Sequence, residues 1–158
     1  MSENLQFHSK NITSSLIENA MWFDIQDQLI KQVSADIKNL EQHFKSKNLA
    51  LVYEMPCFFQ HDQKVTVDDL NYEYFIKWGR NPANKEFRLL YRQTCEVRDD
   101  NNEVVHTSEE VKPLIEARSD IRFALHPFLP LFINTFGLHL KLRSTQLAES
   151  SFSDPKVN

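Results

Sequence analysis

Six histidines are the first residues in this chain whose chemistry suggests a site, because imidazole serves both as a metal ligand and as a general base. They are spread along the whole sequence, as His8, His43, His61, His106, His126 and His139. No two of them stand at HxH or HxxxH spacing, and no HExxH motif or CxxC pair supplements them. The pattern favours solvated side chains and predicts no metal site. A small hydrolase or phosphoesterase that uses His61, His106 or His139 stays an open alternative.

Motifs that cradle phosphates or position a nucleophile are missing from the sequence. It has no GxSxG, no Walker loop and no GxGxxG, and a chain with 2 glycines cannot readily build a glycine-rich phosphate loop. Adjacent carboxylates occur in predicted turns or loops, as Asp68-Asp69, Asp99-Asp100 and Glu109-Glu110. Cys57 and Cys95 lie in apolar, strand-like runs and predict buried reduced thiols. These observations predict no cofactor and favour a non-enzymatic protein.

The segment 72–98 combines aromatic and arginine side chains, which dominate protein–protein hot spots and also bind single-stranded nucleic acid. Alternation along two predicted strands places most aromatics on one face and Arg88 and Arg92 on the other. In one interpretation the aromatics are core and the arginines are solvated. The other is a partner-binding surface, for which the candidate residues are Tyr74, Trp78, Arg80, Arg88 and Arg92. Intervening glutamates and the negative net charge favour a protein partner over nucleic acid.

The chain opens with a predicted long amphipathic helix over about residues 15–46. Ser15-Leu16-Ile17-Glu18 fits a capping box at its start. Apolar residues then recur at spacings of three and four, in the order Trp22, Ile25, Leu29, Val33, Ile37, Leu40 and Phe44. Such a helix is roughly 45 Å long, more than one small sheet covers. The excess predicts packing on another element, on a protein partner or on a second copy in a homodimer.

Alternating patterns after residue 48 predict an antiparallel meander of three to four strands. The predicted strands cover residues 49–55, 72–78 and 87–98, with a short returning strand at 103–107. Residues 60–69 are predicted as a long hairpin loop and Asp99-Asp100-Asn101-Asn102 as a tight turn.

Prolines divide the remainder of the chain. Pro113 predicts an irregular stretch over residues 109–117. A second helical segment is predicted over 119–126, followed by a kink at Pro127 and Pro130.

Gly137 is predicted to end the helix that follows these prolines. A last short strand is predicted at 138–142. Residues 123–140 form the most apolar run, and their histidines, prolines and glycine favour buried core over a membrane span.

Length and composition fit one soluble domain. The chain has 158 residues, of which 41% are hydrophobic, and a net charge of −4. A negative net charge argues against a whole-domain electrostatic grip on nucleic acid. The ordered core is predicted at about 14–142, with polar tails at 1–12 and 143–158. The N-terminus lacks the basic start and apolar block of a secretory signal, which predicts a cytoplasmic location.

Together these patterns predict an α+β fold, with a long N-terminal amphipathic helix packed on an antiparallel β-meander of three to four strands, followed by a proline-kinked C-terminal helix. The leading functional hypothesis is a small cytoplasmic, non-enzymatic protein-binding module of the adaptor, chaperone-like or inhibitor type. It would act through a sheet face or through the long helix. A single-stranded nucleic-acid-binding accessory protein is the alternative beside the hydrolase. No membrane partner is predicted.

Overall fold

The elements follow one another as the sequence patterns predict, a long helix, four strands and then further helices. The structure is a computed structural model that describes residues 2–58 and 71–152. Its helices are α1 (Ser2–Ser46), α2 (Ser119–Leu125) and α3 (Leu129–Phe152), and its strands are β1 (Tyr53–Cys57), β2 (Asn71–Arg80), β3 (Phe87–Arg98) and β4 (Val104–Pro113). Short 3₁₀ turns at Leu114–Glu116 and His126–Phe128 flank α2. The predicted α+β fold is confirmed.

The four strands form one antiparallel sheet in the order β1-β2-β3-β4, as a meander requires. Its register places Trp78 between Tyr53 on β1 and Leu89 on β3. The predicted turn after β3 is also present. There the Asp99 carboxylate accepts hydrogen bonds from the backbone amides of Asn101 and Glu103, both at 2.9 Å. The predicted hairpin loop at 60–69 lies outside the described residues.

One face of the sheet carries the core. Alternation puts the buried side chains of Ile76, Trp78, Leu89 and Tyr91 on this face. The covering helices contribute buried residues at helical spacing, namely Val33, Ile37 and Phe44 from α1, Ile121 and Leu125 from α2, and Leu129, Phe132 and Phe136 from α3. The aromatic side chains of β2 and β3 on this face therefore pack against helices.

Trp78 lies at the centre of this packing. Its side chain is fully buried, and its indole N–H donates a hydrogen bond of 2.9 Å to the backbone oxygen of Leu49. The Phe44 ring meets the indole edge to face, with centroids 5.2 Å apart. That geometry is favourable for aromatic quadrupoles. The hydrogen bond to Leu49 also satisfies the indole N–H, which is the only polar group of the tryptophan side chain and would otherwise be buried without a partner.

The predicted start of the first helix at Ser15 is wrong, because α1 begins at Ser2. Residues 2–14 contain no proline or glycine, so nothing forces the chain out of the helix before the capping-box pattern. Ser15 lies inside the helix, and its backbone oxygen accepts a 2.7 Å hydrogen bond from the Asn19 side chain. At its other end α1 stops at Ser46, two residues before Asn48, whose φ of 50° is left-handed.

The segments beyond β3 also differ from the predictions. Strand β4 continues to Pro113, so the predicted irregular stretch at 109–117 begins later than expected. Helix α3 runs through Gly137 to Phe152, which replaces the predicted helix end and the predicted strand at 138–142. Gly137 does not adopt a positive φ, so it does not cap the helix. Pro130 lies in the first turn of α3, where proline removes no intrahelical hydrogen bond.

Both cysteines are buried and are not joined by a disulfide, as predicted. Burial raises the pKa of the Cys57 thiol to about 12, against a weaker opposing effect of a backbone hydrogen bond with Ile76. The Cys57 thiol is therefore kept in its unreactive neutral form at neutral pH.

The core assignment makes a direct prediction about stability. Replacing the buried Phe132 by alanine lowers the free energy of unfolding by about 3–5 kcal/mol, because it removes an aromatic side chain and leaves a cavity. The neighbouring exposed Leu131 is the matched control, and its replacement by alanine changes stability by less than about 0.5 kcal/mol. Urea unfolding followed by circular dichroism measures both. Equal losses for the two variants would contradict the packing of α3.

Candidate functional site

The predicted partner-binding residues do not form one exposed surface. Trp78 is fully buried on the core face and is unavailable to a partner. We therefore correct Trp78 from a surface candidate to a core residue. Strand alternation places its side chain on the core face of the sheet and places Arg88 and Arg92 on the other face. Tyr74 is half-buried on the same face as Trp78. Burial raises the pKa of the Tyr74 phenol, with a smaller effect from nearby Tyr72.

Arg92 lies on the opposite face of the sheet, where its charge is already neutralised. Its guanidinium donates two hydrogen bonds to Glu54, at 3.0 and 2.6 Å, across the intervening strand β2. It also lies over the ring of Phe75, with the guanidinium carbon 3.8 Å from the centroid. A bidentate carboxylate pair stacked on an aromatic ring holds an arginine in one orientation. Arg92 therefore joins strand β3 to strand β1 across β2.

Arg88 is occupied in a similar way at the junction of sheet and helix. Its guanidinium Nε donates a 2.6 Å hydrogen bond to Oε1 of Glu41 on α1, and both side chains are largely buried. The other oxygen of Glu41 accepts from the backbone N–H of Leu89 at 3.2 Å. The pairing of β3 with β4 ends at Leu90 and Pro113, so Leu89 has no β4 partner. Glu41 satisfies that amide in place of a strand.

Arg80 is the most exposed of the predicted arginines. Its guanidinium carbon lies 5.1 Å from the centroid of the Phe87 ring, and its Nη1 donates a 3.3 Å hydrogen bond to the backbone oxygen of Lys85. With Arg88 and Arg92 already paired to carboxylates, the sheet offers little free positive charge to a phosphate backbone.

The histidine candidates for hydrolysis are not brought together with a carboxylate among the described residues. His61 lies outside those residues, His106 is exposed on β4, and the His139 ring on α3 packs against Tyr53 with centroids 5.3 Å apart. The same part of the chain contains no group of three or more His, Cys, Asp or Glu residues that could hold a metal ion.

One histidine that sequence reasoning did not favour does meet an acid. The Nε2 of His126 lies 2.8 Å from Oδ2 of Asp36, and Asp36 also accepts a 2.8 Å hydrogen bond from Gln32. The hydrogen bond from His126 is the main reason that the pKa of Asp36 is lowered. These two residues are 90 positions apart, so no local spacing could have revealed the contact. The pair lies at the edge of an apolar groove of about 310 Å³ between α1 and the start of α3.

Tyr91 and Glu110 form a further pair on the core face. The Tyr91 hydroxyl donates a 2.9 Å hydrogen bond to Oε2 of Glu110. Burial, and then this bond to a carboxylate, raises the pKa of Tyr91 to about 12. The phenol therefore stays protonated at neutral pH and acts as a fixed donor.

The largest unexplained feature is the middle part of α1. Within residues 16–29, which we call the α1 segment, six large apolar side chains are between 51% and 72% exposed, namely Leu16, Ile17, Met21, Trp22, Phe23 and Leu29. The predicted apolar stripe is thus divided. Its second half, with Val33, Ile37 and Phe44, is buried in the core, whereas Trp22 and Leu29 of its first half are exposed.

Apolar side chains surround the α1 segment on all sides. At about 100° per residue, Leu16, Met21 and Trp22 point in three directions about 120° apart. A helix that is apolar all round is normally buried. Acidic residues lie between the apolar ones, and Asp27 forms a 2.5 Å salt bridge with Lys31 one turn later.

Exposed apolar side chains also occur along α3, at Leu131, Ile133, Leu138, Leu142 and Leu147. By length and composition alone, the helical stretch Ser119–Ala148 is long and apolar enough to cross a membrane, with 22% of its apolar window buried. Core helices of soluble proteins pass the same test. The opposite face of this stretch carries Leu125, Phe132 and Phe136, which are part of the core. Moving it into a bilayer would expose the sheet.

Comparisons with known proteins identify no relative. The chain matches no protein-family model, and searches of curated proteins and of solved structures give no significant match.

The hydrogen bonds of Glu41, which join α1 to β3, are expected to stabilise the folded chain. Replacing Glu41 by alanine leaves a largely buried arginine and the Leu89 amide without their acceptor, and lowers the free energy of unfolding by about 3 kcal/mol. The control is Gln42→Ala on the exposed side of the same turn, with a change below about 0.5 kcal/mol. Thermal unfolding at neutral pH measures both. If the two variants melt together, Glu41 does not anchor the helix.

The Asp36–His126 pair makes a prediction about pH. Because the folded pKa of Asp36 lies below its ordinary value of 3.8, its contribution to stability is complete above that value. The contribution is lost as the pH falls through the lowered folded pKa. Replacing His126 by alanine raises the pKa of Asp36 toward 3.8, whereas His139→Ala leaves it unchanged. A carboxyl-detected NMR titration measures the change, and the same Asp36 pKa in all three proteins would refute the assignment.

Proposed function

We propose that this chain is a small cytoplasmic, non-enzymatic protein-binding module that acts through the α1 segment. The observation that carries the proposal is the exposure of six large apolar side chains on one stretch of helix. Their exposed surface is on the order of 600 Å², taking about 100 Å² for each side chain. This total equals the upper end of the range for the largest apolar patch on a typical monomer, about 300–600 Å², and such patches are often functional.

The chemistry of the α1 segment favours a protein as the partner. Trp22, Phe23 and Met21 are residue types enriched at protein interfaces. Asp24 and Asp27 lie among them, and the chain carries a net charge of −4, which opposes binding to anionic lipid or to a phosphate backbone.

The other hypotheses have less support from the described residues. For the sheet-face version of the module, and for single-stranded nucleic acid binding, the aromatic Trp78 is buried and Arg88 and Arg92 are paired with glutamates. For the hydrolase, His106 and His139 contact no carboxylate among the described side chains. Among the described residues, the six apolar side chains of the α1 segment have no such competing internal partner.

Paired affinity captures test this function. The tagged chain is recovered from cells in the presence of nuclease, and bound protein is quantified per tagged chain, with an untagged copy counted as a partner. We expect near-stoichiometric bound protein for the natural chain, and at least about tenfold less for the double variant Trp22→Gln, Phe23→Gln. The substituted side chains are exposed, so the fold is retained.

The matched control removes exposed apolar surface elsewhere. Leu131→Gln with Leu138→Gln changes two exposed side chains of α3 and should leave the bound protein unchanged. Loss of the partner in this control, equal binding by the α1 variant, or release of the partner by nuclease would each reject the proposed function.

A further inference from the structure

We draw no further inference here: the strongest candidate, the exposed apolar surface of α1 over residues 16–29, carries nothing beyond the proposed function because nothing in the structure shows what covers it.

Discussion

The packing of one long helix on a much smaller sheet is the constraint from which the rest of the structure follows. Helix α1 has 45 residues and is about 68 Å long. Four strands at about 4.8 Å spacing give a sheet roughly 14 Å across, and its longest strand has 12 residues, about 40 Å. No orientation of α1 on this sheet covers the whole helix. The part of α1 that remains outside the core is therefore a geometric consequence of the chain's proportions.

The position of α1 along the sheet is set by polar groups as well as by the apolar core. Phe44 and Ile37 supply buried area but tolerate sliding, because hydrophobic contact is not directional. Glu41 removes that freedom, since it binds both the Arg88 side chain and the Leu89 amide. Glu41 makes these contacts beyond the end of β4 at Pro113, where the Leu89 amide of β3 has no β4 partner. The same contact fixes how much of α1 lies on the sheet and how much extends beyond it.

Sequence patterns predict this fold well where the interactions are local or periodic. Alternation along β2 and β3 is enough to separate the face of Trp78 from the face of Arg92, and the helical period is enough to find the buried row of α1. The patterns fail where two solutions are locally equivalent. Leu138, Leu140 and Leu142 fit a strand or a helix, and only the packing of Phe136 against Phe44 and Tyr53 selects the helix. Contacts between distant segments, such as Glu41 with Arg88 or Asp36 with His126, leave no signal in one sequence.

Side chains whose interactions are already satisfied inside the fold are poor candidates for binding a partner. Aromatic and arginine residues suggested a binding face, yet in the folded chain Trp78 has Leu49 and Phe44, Arg92 has Glu54 and Phe75, and Arg88 has Glu41. A group whose interactions are already made contributes little to binding a partner, because binding would have to replace them. The α1 segment has the opposite character. Its six large apolar side chains are exposed in the described structure, so a partner would cover them without first breaking an internal hydrogen bond or ion pair.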